Sequence, residues 1–207
     1  MKIIEPSIEP IEDFDAAAIM KKIERAGRVC YKSEGNIKDD SAEKFIRGII
    51  KRGHESVIEH ATISFKVICD RGVTHELVRH RLASYSQESS RYCDYSAGKF
   101  GGELTFIKPC FWQEDDDNFK IWLSAMELAE KNYLALRAGG ARPEEERSIL
   151  PNSLKTEIFV TMNLRELRHF LKLRTAKAAH PQMREVALKI YKILVEKLPA
   201  VFDDIQP

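Results

Sequence analysis

The sequence predicts an α+β fold. Stretches with helical periodicity outnumber stretches that alternate every second residue. The alternating stretches are also not regularly interleaved with helices, as a doubly wound parallel sheet requires. In addition, 207 residues that are 43% hydrophobic and 31% charged suffice for one domain with a buried core and are too apolar for a disordered chain.

The elements follow in order. Ala16, Ile19, Met20, Ile23 and Ala26 recur at helical spacing and predict a helix over about 14–29. A second helix begins at Asp40-Ser41, where Asp40 and Glu43 form a capping-box pattern. Phe45, Ile46, Ile49 and Ile50 give it an apolar face, and Gly53 is placed to stop it. Thr62 to Cys69 alternates and reads as a half-buried strand. Thr74 is placed to cap a short helix through about Arg81, and the polar run from Ser84 to Tyr92 reads as a functional loop. Leu104–Ile107 is a strand candidate. The acidic run Glu114 to Asp117 is a solvated loop before a helix over about 118–138, which Gly139-Gly140 ends. Pro143, followed by Glu144, Glu145 and Glu146, opens a short helix, because proline suits the first helical position and acids suit the first turn. A strand over 155–162, a helix over about 164–174 and a last helix from Pro181 to Leu198 complete the chain.

Thirty-three Lys and Arg against 32 Asp and Glu leave a net charge of +1, which argues against bulk polyanion binding. Cys30, Cys69, Cys93 and Cys110 form no CxxC pair. The acidic, proline-containing N-terminal stretch lacks a signal-peptide layout. Reduced thiols and a cytoplasmic location are therefore expected, with no membrane or nucleic-acid partner.

The densest chemical signal is Arg79-His80-Arg81, followed after seven residues by Ser89 and then Arg91-Tyr92. Three arginines in a stretch rich in hydroxyls, with only Glu76 and Glu88 nearby, suit an anionic, oxygen-rich ligand. A solvated surface helix with an Arg-rich turn is the plainer reading. Ser89 beside His80 lacks the G-x-S-x-G elbow of a serine nucleophile. His54, Glu55, Glu59 and His60 miss the H-E-x-x-H metal spacing. Arg147, Asn163, Arg165, Arg168, His169 and Arg174 form a second basic cluster, with Arg165, Arg168 and His169 on one helix face. Read without any resemblance, these residues leave open a non-catalytic nucleotide-binding module or an RNA-binding protein.

The stretch THELVRHRLASYSQESSRY resembles the signature of the flavin-dependent thymidylate synthases. The likeness extends upstream to Arg52-Gly53-His54-Glu55-Ser56 with Glu59-His60. Downstream it covers Arg147-Ser148-Ile149-Leu150-Pro151, the Asn163 region and Leu171-Lys172-Leu173-Arg174, so that it spans roughly residues 25 to 200. The resemblance implies conversion of dUMP to dTMP without a covalent protein nucleophile, with 5,10-methylenetetrahydrofolate as carbon donor. FAD, reduced by NADPH, would carry the hydride. It also implies one domain over 1–207 with a central, mostly antiparallel sheet flanked by helices and carrying a helical excursion. Four copies would assemble into a homotetramer with shared active sites.

Matched by position, Arg174 and His54 are the catalytic candidates. Ser56, Arg79, His80, Arg81, Gln87, Asn163, Leu164, Arg165 and His169 correspond to FAD contacts. Glu76, Leu77, Val78, Arg79, Gln87, Glu88, Ser89, Ser90, Arg91, Arg147 and Arg174 correspond to dUMP contacts. The resemblance assigns Arg174 the task of favouring uracil N3 ionisation. Ser86 and Gln87 stand where some members carry Asn and Glu, and Glu76 where some carry Gln.

Overall fold

The N-terminal stretch, in which prolines mask any periodicity, forms two short strands that the sequence pattern does not reveal. These are β1 (Lys2–Ile4) and β2 (Ser7–Pro10) in the computed structural model, which describes residues 1–98 and 101–207. Helix α1 (Ala16–Val29) starts where Asp15, in extended backbone, accepts a hydrogen bond from Ala18 N at 3.0 Å. Helix α2 (Ser41–Lys51) forms as expected, but without the capping box. Asp40 sits at φ −109°, ψ 5° and makes no cap bond, while Glu43 pairs with Arg47. Ser41 Oγ accepts from Lys38 N and donates to the buried carboxylate of Glu24. Gly53, at φ +73°, does end the helix. Its N–H bonds to Ile50 O and that of His54 to Ile49 O, the paired bonds of a Schellman motif.

Strand β3 (Thr62–Asp70) leads into α3 (Arg71–Leu77). The cap there is Asp70, not Thr74. Asp70 has extended backbone and accepts from Val73 N at 2.7 Å, while Thr74 lies inside the helix and donates to Arg71 O. The helix also stops at Leu77, short of Arg81. The run read as a loop contains β4 (Ala83–Gln87), an edge strand whose side chains are half-buried or exposed in alternation. Strand β5 (Thr105–Ile107) follows. Helices α4 (Asp117–Ala138) and α5 (Pro143–Glu146), strand β6 (Lys155–Asn163), and helices α6 (Leu164–Arg174) and α7 (Pro181–Lys197) lie where the pattern puts them. A short α8 (Pro199–Phe202) was not anticipated, nor were 3₁₀ turns at Glu34–Asn36, Glu55–His60 and Arg147–Ile149. No helix among the described residues is long and apolar enough to cross a membrane, and no disulfide joins the four cysteines.

The main sheet has the order β2-β3-β6-β4 and is antiparallel. A separate two-stranded sheet pairs β1 with β5 in parallel, Ile3 opposite Phe106.

The chain forms two compact units. The first comprises Met1–Ser7, Val67–Arg79 and Ser86–Phe159, the second Ile8–Lys66, His80–Tyr85 and Val160–Pro207. In the first, Leu104, Phe106, Phe119, Trp122, Met126, Tyr133 and Leu154 form the core beneath α4. In the second, α1 packs on α2, α2 on α8, and α6 on α7, burying Ile23, Ile46, Ile49, Leu167, Phe170, Val186, Ile190 and Phe202.

Helix α1 meets its neighbours closely at Gly27, where a Cβ would lie 2.6 Å from Phe45 Cζ and 3.0 Å from Val57 Cγ1. Overpacking costs about 1–3 kcal/mol, which exceeds the ~1 kcal/mol that alanine gains over glycine in a helix. Gly27→Ala is therefore expected to lower Tm by a few degrees in a thermal melt. An unchanged or raised Tm would show that the Phe45 ring yields without cost.

Candidate active site

In the second unit the site is organised by α6. Asn163, in extended backbone, caps the helix by accepting from Glu166 N at 2.8 Å. Helical spacing then sets Glu166, Phe170 and Arg174 along one face. These three meet His80, which is 4% exposed. His80 Nδ1 lies 3.1 Å from Glu166 Oε1, and Arg174 Nε donates to His80 Nε2 at 3.0 Å. A guanidinium N–H can only donate, so Nε2 accepts and the ring hydrogen sits on Nδ1, directed at the carboxylate. The Phe170 ring meets the imidazole edge-on at 5.1 Å, and that of His169 lies 5.8 Å away. Burial and the Arg174 and His169 charges lower the His80 pKa more than Glu166 raises it, which keeps the imidazole neutral near pH 7. Tyr85 donates to His80 O at 2.7 Å, and burial pushes its phenol up to about 12.

His80, Glu166 and His169 bring their ligand atoms within 4.8 Å of one another. Both nitrogens of His80 are already engaged, however, so a metal would have to displace Arg174 or break the bond to Glu166. His80 and Glu166 are organised around hydrogen bonds.

Two sets of arginines bear on the site. Arg28, Arg47, Arg137, Arg142, Arg165 and Arg168 each pair with a carboxylate. Arg168, 1% exposed, bonds Asp204 at 2.6 Å, Glu55 at 3.1 Å and the Val201 carbonyl. Among the described residues Arg79, Arg81, Arg91 and Arg147 have no carboxylate partner, and Arg91 lies over the ring of Tyr92 at 5.6 Å. Uncompensated guanidiniums are the groups a phosphate or another anion would engage.

In the first unit Gln87 Nε2 donates to Thr74 Oγ1 at 3.1 Å and to Thr156 Oγ1 at 3.2 Å. Glu88 accepts from Tyr95 Oη at 2.6 Å and from Lys155 Nζ at 3.0 Å. Burial, with the bond to Glu88, raises the Tyr95 pKa. Lys155 stays above its ordinary value despite burial, because Glu157 and Glu88 hold its charge. Ser89 closes the following turn. Its carbonyl accepts from Tyr92 N and Cys93 N, and its hydroxyl from Arg91 N. Tyr133 Oη accepts from Tyr95 N and donates to the buried Glu146, which also pairs with Arg137. Arg147 follows Glu146 directly, so this network anchors the start of both the Ser89–Arg91 turn and Arg147.

The candidates divide between the units. Glu76, Leu77, Val78, Arg79, Gln87 to Arg91 and Arg147 belong to the first. His54, Ser56, His80, Arg81, Asn163, Leu164, Arg165, His169 and Arg174 belong to the second. The structure brings His80, His169 and Arg174 together. Arg165 instead lies in an exposed pair with Glu59 at 2.5 Å, and His54 and Ser56 are exposed at the 3₁₀ turn after α2. Sequence reasoning missed Glu166, Tyr133 and Glu146. An acid in the first turn of a helix reads as an ordinary dipole partner, and nothing in the chain marks its distant contact.

The family model for the thymidylate synthase complementing protein matches residues 16–200. The flavin-dependent thymidylate synthase of Pyrococcus furiosus is 38% identical over 199 residues, 96% of this chain and 78% of that one. The enzyme of the same name from Geobacter sulfurreducens is 36% identical over 191 residues, 88% of this chain and 80% of its own. A crystal structure of the UMP/dUMP methylase PolB from Streptomyces cacaoi, bound with 5-Br dUMP, superposes with a TM-score of 0.78 at 25% identity, covering 98% of this chain and 96% of that one. A match running through all but the chain's ends, with relatives above 30% identity over most of their own length, makes this chain a member of the flavin-dependent thymidylate synthase family.

Proposed function

We infer that the protein methylates dUMP to dTMP, taking the carbon from 5,10-methylenetetrahydrofolate and releasing tetrahydrofolate, with FAD as hydride carrier and NADPH as reductant. Family membership supports the reaction. The observation that carries it to this chain's own residues is that each unit holds arginines without a carboxylate partner, and that in the second Arg174 is bonded to a neutral His80.

These residues fit a flavin dinucleotide and a nucleotide monophosphate, both polyanions. We assign Ser56, Arg79, His80, Arg81, Gln87, Asn163, Leu164, Arg165 and His169 to FAD. Engaging Arg165 then means giving up its exposed pair with Glu59, a contact worth little in water. Glu76 to Arg79, Gln87 to Arg91, Arg147 and Arg174 are assigned to dUMP. When bound, FAD supplies the redox step, delivering to the one-carbon unit the hydride received from NADPH.

The chain's residues do the rest. Arg147 and Arg91 offer guanidiniums to the phosphate, and the Ser89 turn offers its backbone and hydroxyl. Arg174, always protonated, stabilises negative charge developing on the uracil when N3 loses its proton, which makes C5 electron-rich enough to attack. We assign His54, exposed at the turn after α2, to the flavin. No serine or cysteine acts as nucleophile in this scheme: Ser89 is a substrate contact, its hydroxyl accepting from Arg91 N, and burial pushes the Cys69 thiol up. The reading includes one domain over 1–207, a cytoplasmic location and a homotetramer whose subunits share active sites.

Visible absorption after FAD addition and desalting tests the binding part. A retained flavin band that changes shape on dUMP addition is expected. A colourless protein that sediments as a tetramer would overturn the cofactor assignment.

A further inference from the structure

From the His80 contacts we propose that Glu166 is a positioning residue for the reaction, acting through His80 to aim Arg174. This rests on the reading that Arg174 serves the uracil ring. The warrant is geometric. Glu166 is 6% exposed and His80 4%, so neither is oriented by bulk water. The carboxylate can only accept, so it selects the imidazole tautomer with hydrogen on Nδ1. That tautomer leaves Nε2 as an acceptor, the one role that suits Arg174 Nε at 3.0 Å. The opposite tautomer would set two N–H groups against each other and release the guanidinium. Holding Nε also fixes the plane of the fork, because the guanidinium is rigid. Glu166 itself is held at its backbone by the Asn163 cap, so the chain of contacts begins at a helix terminus and ends at the arginine.

The groups facing His80 are Glu166, His169 and Arg174 from α6, with Tyr85 of β4 bonded to its carbonyl. An imidazolium would put a proton on Nε2 and expel Arg174, so activity requires neutral His80. Burial opposes the protonated form, as do the neighbouring Arg174 and His169, whereas Glu166 favours it. Removing the carboxylate therefore lowers the His80 pKa further. The acid limb of the rate profile moves to lower pH even as the rate falls.

The test compares Glu166→Gln and Glu166→Asp with the unaltered enzyme in dTMP formation. Glu166→Gln is expected to lose about 10- to 100-fold in kcat, the usual cost of an outer hydrogen-bonding partner. The dUMP KM and FAD retention should stay within about threefold, and the acid limb should shift downward. Glu166→Asp, which keeps the charge on a shorter arm, should recover part of the rate and hold the limb near its original position. A Glu166→Gln enzyme within twofold of the original with an unmoved limb overturns the proposal. So does equal loss in both variants in step with a lowered Tm, which is the mark of a structural role alone. If Glu166→Gln does not fold, ¹⁵N NMR of the unaltered protein decides: hydrogen on Nδ1 of His80 supports the proposal, and hydrogen on Nε2 overturns it. An unaltered enzyme that forms no dTMP would defeat the functional reading instead, and the same NMR signature would still judge the contact.

Discussion

Arg174→Ala is expected to lower kcat about 10²–10³-fold, the range seen when one preorganised donor to a developing anion is removed. FAD retention should change much less, because Arg79 and Arg81 are the guanidiniums proposed to hold the flavin. Arg174→Lys should not restore the rate: an ammonium on a flexible stem keeps the charge but lacks the planar fork and the Nε–H that meets His80. The variant also carries an internal check. Because His80 sets the acid limb through its bond to Arg174, the residual rate of Arg174→Ala should lack that limb, whereas Glu166→Gln should keep it at lower pH. Steady-state kinetics across pH reads both effects. Turnover within threefold of the original would refute the role of Arg174.

Arg168→Met is expected to produce the largest loss of stability, about 2–4 kcal/mol, visible as a Tm lower by several degrees. Methionine fills much of the volume but leaves Glu55 without its nearest cation, the Val201 carbonyl without a donor and Asp204 without its bidentate partner. The estimate lies below the full range for a buried pair because Asp204 is 47% exposed and water can replace part of what it loses. The pH dependence follows the same contact. The bond to Arg168 holds the Asp204 pKa below 3.8 against the opposing effect of burial. That stability is fully present above the unfolded value and is lost as pH falls through the depressed folded one. The variant should lack this component of acid unfolding. Equal Tm values for the two proteins would show that Arg168 contributes nothing net.

Elements set by local chemistry are legible in the chain. Helix α6 spans Leu164–Arg174, as read, although its Asn163 cap was not singled out. Helix α4 lies between an acidic run and the Gly139-Gly140 stop, where Gly140 takes φ +86°. Strand β4 escaped notice because it lies at a sheet edge and buries neither face fully, so it shows no apolar alternation. The Asp40 pattern misled for a different reason: a cap needs extended backbone, and the preceding turn does not provide it.

The site divides in the same way. The scarcity of acids near Arg79, Arg81 and Arg91 marked those arginines correctly as uncompensated. Arg165, Arg168 and His169 looked alike as one basic face, yet Glu59, 106 positions from Arg165, and Asp204, 36 from Arg168, separate them. The contact of His80 with Glu166 spans 86 positions. Pairings over such distances are set by tertiary packing, and no local pattern announces them.

The most direct test of the central claim is product analysis of the purified chain incubated with dUMP, 5,10-methylenetetrahydrofolate, NADPH and FAD. The account predicts dTMP and tetrahydrofolate in equal amounts, with formation lost when FAD or NADPH is omitted. A protein that retains FAD and binds dUMP but forms no dTMP would contradict it, as would dTMP made without FAD and accompanied by dihydrofolate.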